Sequence, residues 1–360
     1  MSESAPGRPV RVLGRDGGVD SPTASDDHVA HLGRYRARDG SAGAPVGLDV
    51  DGPHAVLIVG KRGYGKSHTM GVLAEDLART AGVSPTIADP MGVFRSLSNG
   101  NHAIPATDVA PTVSAATLGP RAWCDLLSLD PAGPAGSLVW RAAAESETLA
   151  ELQTRVADAD AAPAARRAAV NHLRLAATWD VVDAGEPAAI DTAGCTTIDL
   201  SGLDGPAMNA VAAGVASRCY DGRVAGAFDR LPWVLVDEAH AFFDGVAEPA
   251  LRRLLTRGRH PGVSLVAATQ RPSALPPVAI SQADVVVVHR LTSRADREAL
   301  ADARPSYLST SVADRMPTGV GEALVIDDAT ETVHTIQVRE REAPHDGASP
   351  RASAVNGGSA

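Results

Sequence analysis

Between Ala55 and Met70 the chain reads AVLIVGKRGYGKSHTM, and this stretch restricts the fold more than any other. Ala55 to Val59 is short, apolar and rich in branched side chains, which suits a strand buried on both faces of a parallel sheet. Gly60, Gly63 and Gly65 then let the backbone turn and aim successive N–H groups inward, and a helix opening near Lys66 adds the positive end of its dipole. The spacing is Gly-x-x-x-x-Gly-Lys-Ser/Thr, in which Lys66 reaches the β- and γ-phosphates of a nucleotide and the Ser67 hydroxyl ligates magnesium. ATP with Mg2+ is therefore the expected ligand pair, contacted by Gly60, Lys61, Arg62, Gly63, Tyr64, Gly65, Lys66, Ser67 and His68. Lys61 and Lys66 are the only lysines among 360 residues, so the motif does not arise from a lysine-rich background.

A chain of this length can bury a full core, and one large α/β domain with an elaboration fits better than two complete domains. Hydrophobic residues make up 44% and aromatics only 3%, so Ala, Gly and Val carry the packing. The net charge of −10 excludes a generally basic coat for nucleic acid. Cys124, Cys195 and Cys219 are odd in number and far apart, which suggests neither a disulfide framework nor a zinc cluster and points to the cytoplasm. No apolar run reaches membrane-spanning length, and MSESAPGRPV lacks the apolar core of a signal peptide.

In chain order, residues 1–26 are rich in Gly, Ser, Asp and Pro and read as a disordered arm. The core is expected over 27–338. One or two short strands between His31 and His54 lead to the glycine turn, a helix runs to Thr80, and Pro85–Ala88 is a second strand ending at Asp89-Pro90. Asp89 there either steers magnesium or water or simply makes an Asp-Pro turn. From 119 to 190 the pattern changes to Ala/Leu/Arg-rich segments with apolar positions three and four apart, a helical insertion. A strand at Thr196–Leu200 and a helix at Pro206–Arg218 follow. Gly321–Ile326 and Thr332–Val338 close the sheet, and residues 339–360 read as a flexible tail.

The second informative stretch is Trp233-Val234-Leu235-Val236-Asp237-Glu238-Ala239-His240. An apolar strand ending in adjacent carboxylates is what a nucleotide hydrolase needs, with Asp237 holding hydrated magnesium beside Ser67 and Glu238 polarising the attacking water. A further strand, Val263–Ala268, ends in Thr269-Gln270-Arg271-Pro272, where the Gln270 amide can sense the γ-phosphate or the water. Arg252, Arg253, Arg257 and Arg259 precede that strand, either as fingers toward a neighbour's nucleotide or as ordinary surface charge.

Together these residues resemble the HerA branch of the HerA/FtsK ATPases. The likeness runs from about Leu32 to His345 and narrows to this family at RGRHPGVSLVAATQRP, SQADVVVVHRL and GEALVI. It implies a RecA-like core, α/β with a mainly parallel sheet, and a homo-oligomeric ring, a hexamer, with ATP at subunit interfaces and double-stranded DNA in the channel. By the same resemblance a nuclease is a further partner. It assigns catalytic roles to Lys66, Glu238 and Gln270, metal binding to Ser67 and Asp237, and to Arg259 the arginine acting in trans. Two departures stand out: Val93 occupies a position where the family usually has glutamate, and the sequence before Ala55 is too short for a complete N-terminal β-barrel.

Three other readings compete. The Asp-Glu-Ala-His text also occurs in two-domain helicases, but the residues after Ala241 are too few for a second RecA-like domain. A motor of the same fold can package viral DNA or serve conjugation or secretion. A slow ATP-dependent switch is the third.

Overall fold

Twelve strands of the described residues join in one sheet. The structure, a computed structural model, describes residues 11–15, 26–37, 39–99, 102–183, 189–302 and 315–344. In chain order the strands are β1 (Arg11–Leu13), β2 (Val29–Arg36), β3 (Ala42–Asp49), β4 (Ala55–Val59), β5 (Val83–Asp89) and β6 (Ala106–Val109). They continue with β7 (Cys195–Asp199), β8 (Leu231–Val236), β9 (Ser264–Thr269), β10 (Val285–Val288), β11 (Glu322–Asp327) and β12 (Thr332–Val338). Across the sheet the order is β1-β3-β2-β12-β11-β10-β4-β9-β8-β5-β7-β6.

The segment from β10 to β6 is parallel throughout, and its second member β4 pairs with β9 on one side and β10 on the other. Residues of β4 alternate between two cores: Leu57 and Val59 belong to one face, Val56 and Ile58 to the other. A strand apolar at every position is the direct consequence of burial on both faces. The helix α1 (Lys66–Arg79) covers the second face, with Met70, Leu73 and Leu77 fully buried. The helix Gly205–Val224 and the segment 120–177 cover the first.

That segment holds four helices, Pro120–Leu126, Pro134–Ala143, Leu149–Asp158 and Pro163–Ala177. Three open on proline, whose fixed φ and missing N–H cost nothing at a first helical position. Asp183 ties the segment to the core by accepting from the backbone N–H of Ala115 at 2.9 Å and of Leu149 at 2.7 Å. No helix of the described residues is long and apolar enough to cross a membrane.

Both chain ends differ from expectation where they are described. Within the arm expected to be disordered over 1–26, Arg11–Leu13 forms an edge strand parallel to β3, and residues 1–10 and 16–25 lie outside the described residues. The tail expected to be flexible from 339 is instead fastened to α1. Glu75, fully buried on that helix, accepts from Arg339 Nη1 at 2.7 Å and from the backbone N–H groups of Glu342 and Ala343, each at 3.0 Å. Arg339 also donates to Asp76 at 3.0 Å and to the carbonyl oxygens of His31 and Val72. A buried carboxylate is tolerated only with such a full set of donors, which is why the segment is held rather than solvated. Gly71 completes the fit, since a Cβ there would stand 2.6 Å from Arg341 Nε. The rest of the tail, from 345, lies outside the described residues.

Candidate active site

The turn after β4 forms as its glycines demand. A Cβ at Gly60 would lie 2.6 Å from His289 Cβ, so only glycine lets the turn pass against β10. Gly65, with φ of 118°, is the residue before α1 and supplies no side-chain cap, which leaves the N–H groups of the first turn to an anion. His289 braces this start from below. Its Nδ1 donates to the Glu322 carbonyl at 2.8 Å, so Nε2 accepts from the Thr69 hydroxyl at 2.9 Å. Burial lowers its pKa to about 4, which keeps it neutral in that role.

A cavity of about 290 Å³ opens above the turn. Arg62, Gly63, Gly65, Lys66, Ser67 and His68 line its floor, and Asp237 and Glu238, carried past the end of β8, line one side. Lys66 is only 6% exposed; burial lowers its pKa, and the carboxylates of Glu238 and Asp237 work against that shift. The Ser67 hydroxyl donates to Asp237 Oδ2 at 2.8 Å, and Asp237 Oδ1 accepts from the Glu238 N–H, also at 2.8 Å. Glu238 adopts φ of 46°, a left-handed conformation uncommon outside glycine, held by that last hydrogen bond. Its buried Oε2 makes no hydrogen bond but lies 3.4 Å from His240 Nδ1. Burial raises its pKa, Asp237 adds to the rise, and Lys66 and Arg62 oppose it.

Not every residue expected at the ligand is in the cavity. Gly60, Lys61 and Tyr64 stand outside its lining: the Lys61 ammonium lies 4.9 Å from the Tyr64 ring centre and Arg290 5.5 Å from it, so this loop edge turns toward β10. The spacing fixes a residue's place in the loop but not the direction of its side chain. Gln270 approaches Glu238 through its backbone N–H, and its amide does not line the cavity. Asp89 makes the turn: its two oxygens accept from the N–H groups of Met91 at 3.1 Å and Phe94 at 2.8 Å, and burial pushes its pKa up to about 6. Arg259 lies before β9, 72% exposed and 3.7 Å from Asp284, at the end of the sheet opposite the glycine turn. The six residues of β9, at about 3.3 Å each, put about 20 Å between Arg259 and that turn.

The far wall was not anticipated. Val320, Gly321, Gln337, Val338 and Glu340 line the cavity opposite the carboxylates, and Met91 and Val93 stand at its rim after β5. β12 is antiparallel to β11, which is antiparallel to β10, so β12 runs parallel to β4 and ends at the same edge. Only the strand order reveals this.

The donor set fits hydrated Mg2+: the Ser67 hydroxyl and the Asp237 carboxylate, both hard oxygens, with the Glu238 carboxylate beside them. Among the described residues no group of three or more His, Cys, Asp or Glu side chains is placed to hold a metal ion.

No family model and no curated protein matches the sequence. Among solved structures, VirB4 of Thermoanaerobacter pseudethanolicus superposes with a TM-score of 0.64 at 16% identity, over 87% of this chain and 96% of that one. The bacterial conjugative coupling protein TrwBdeltaN70, in its unbound monoclinic form, gives a TM-score of 0.57 at 16% identity, over 84% of this chain and 88% of that one. Its trigonal form in complex with sulphate gives 0.55 at the same identity, over 81% and 86%. These likenesses are of fold, the RecA-like α/β fold of P-loop ATPases.

Proposed function

We propose that this chain binds ATP with Mg2+ and hydrolyses it as a subunit of a homo-oligomeric ring, a hexamer of HerA type, that moves double-stranded DNA. The observation that carries the ATPase part is the convergence of Lys66, the Ser67–Asp237 pair and Glu238 on one cavity at the start of an uncapped helix. Lys66 and the helix N-terminus hold the phosphates, and Lys66 meets the charge that grows on them as the bond to the γ-phosphoryl group breaks. Ser67 and Asp237 would hold Mg2+, which when bound neutralises phosphate charge. Glu238, with a buried oxygen that makes no hydrogen bond and a raised proton affinity, orients the attacking water and takes its proton.

The ring rests on the resemblance and on where Arg259 lies. An arginine about 20 Å from its own glycine turn cannot serve its own site, but at an exposed edge it can reach a neighbour's. Arg259→Ala should therefore keep ATP affinity within about threefold and lose at least about a hundredfold in hydrolysis. Equal loss of binding by the monomer would mean that Arg259 serves its own site.

A second reading, a motor of this fold serving conjugation, packaging or secretion, shares the same chemistry and is favoured by the likeness to TrwB. The two-domain helicase is disfavoured because β9 to β12 complete the first sheet. Steady-state ATP hydrolysis with and without duplex DNA tests the function: stimulation by duplex over single-stranded DNA is expected of a duplex motor, and hydrolysis indifferent to DNA would overturn DNA as the cargo. A nuclease partner follows from the resemblance alone.

A further inference from the structure

The γ-phosphate end of the cavity is fixed by Asp237 and Glu238, on the β8 side of β4. The C-terminal end of β12 stands on the other side, three strands from β4. It is built into the glycine turn through two backbone hydrogen bonds: Gly321 N–H donates to the Tyr64 carbonyl at 3.3 Å, and Val338 N–H donates to the Gly321 carbonyl at 3.0 Å. The Gln337 amide lies over Gly321, where an added Cβ would stand 2.6 Å from Nε2, and donates to the Val320 carbonyl at 3.4 Å. Glu340 follows as an exposed carboxylate on the same wall, and the His68 imidazole donates to the Arg339 carbonyl between them at 2.8 Å.

Two large apolar side chains are exposed at the mouth of this cavity, Val320 at 69% beside Gly321 and Met91 at 55% after β5. Phosphate does not need them. A flat apolar ring attached to the phosphates on the β12 side would cover Val320 and remove its apolar surface from water.

We propose that the wall formed by Gly321, Gln337, Val338 and Glu340, with Val320 at the rim, is the nucleoside subsite, taking the ribose and base of the bound nucleotide. This rests on the reading of the cavity as an ATP site and adds what lies beyond the phosphates. The Glu340 carboxylate offers acceptors and so matches the ribose hydroxyls; the Gln337 amide offers both a donor and an acceptor to a base edge. The same wall is continuous with Arg339 and the Glu75 network, so the nucleoside touches the segment that fastens the C-terminal stretch to α1.

The test compares Mg2+-ATP with Mg2+-tripolyphosphate, which has the phosphates and no nucleoside, by calorimetric titration of the wild-type chain and of Gln337→Ala/Glu340→Gln. The wild type should prefer ATP by tenfold or more. The double variant should lose about tenfold in ATP affinity and keep tripolyphosphate affinity within about twofold. Retained tripolyphosphate binding also shows that the variant is folded. Unchanged ATP affinity in the variant, equal affinity of the wild type for both ligands, or parallel loss of both by the variant would each overturn the subsite. A wild type that binds neither ligand would instead overturn the ATP reading on which it rests.

Discussion

Glu238→Gln is expected to bind ATP as well as the wild type and to hydrolyse it about a hundred to ten thousand times more slowly. The substitution keeps shape and volume but replaces the acceptor that takes the water's proton with an amide that cannot. Backbone geometry should survive, because the hydrogen bond holding φ at 46° comes from the N–H of residue 238 to Asp237 and not from the side chain. A pH profile adds a second readout. Burial raises the Glu238 pKa above the ordinary carboxylate value, and only the ionised form accepts a proton, so wild-type turnover should fall with acid at a higher pH than an ordinary carboxylate would give. The residual rate of the variant should lack that acid limb. Turnover reduced less than about tenfold would mean that another group activates the water.

Lys66→Ala is expected to lose both ATP binding and turnover, the latter by at least about a hundredfold, or about 2.7 kcal/mol of transition-state stabilisation. No other lysine substitutes for it: Lys61 is the one remaining in the chain, and it faces Tyr64 outside the cavity lining. Removing a buried ammonium from beside two carboxylates also leaves Asp237 and Glu238 without their nearest compensating charge, which further disfavours a polyanionic ligand. Equilibrium binding of ATP, followed by phosphate release, checks both parts, and near-wild-type hydrolysis would remove Lys66 from the site.

What could be read from the sequence divides by range. The β4 strand, the glycine turn and α1 were legible because each depends on residues within a few positions: an apolar run, glycines at fixed offsets, and a helix that starts where they end. Asp237 and Glu238 were legible because the apolar strand before them ends at the same sheet edge as β4. The C-terminal wall was not, since nothing local in Gln337-Val338-Arg339-Glu340 says that β12 lies three strands from β4 and runs the same way. Arg339-Glu340-Arg341-Glu342 opens the stretch that reads as a flexible tail, yet Arg339 and the backbone of Glu342 converge on Glu75, some 265 residues earlier. Such pairings are set by tertiary packing, which alternating charge does not encode. Lys61 and Tyr64 show the complementary limit, with the right loop positions but side chains turned to β10. Asp89 shows another: a carboxylate beside the site whose two oxygens are already occupied by its own turn.

The most direct measurement is the release of inorganic phosphate from Mg2+-ATP by the purified wild-type chain, counted per mole of protein. Phosphate should accumulate steadily well beyond one equivalent per chain, and at least about a hundredfold more slowly in Glu238→Gln. Tight ATP binding by the wild type with release that ends at one equivalent or less would contradict the motor and leave a nucleotide-dependent switch.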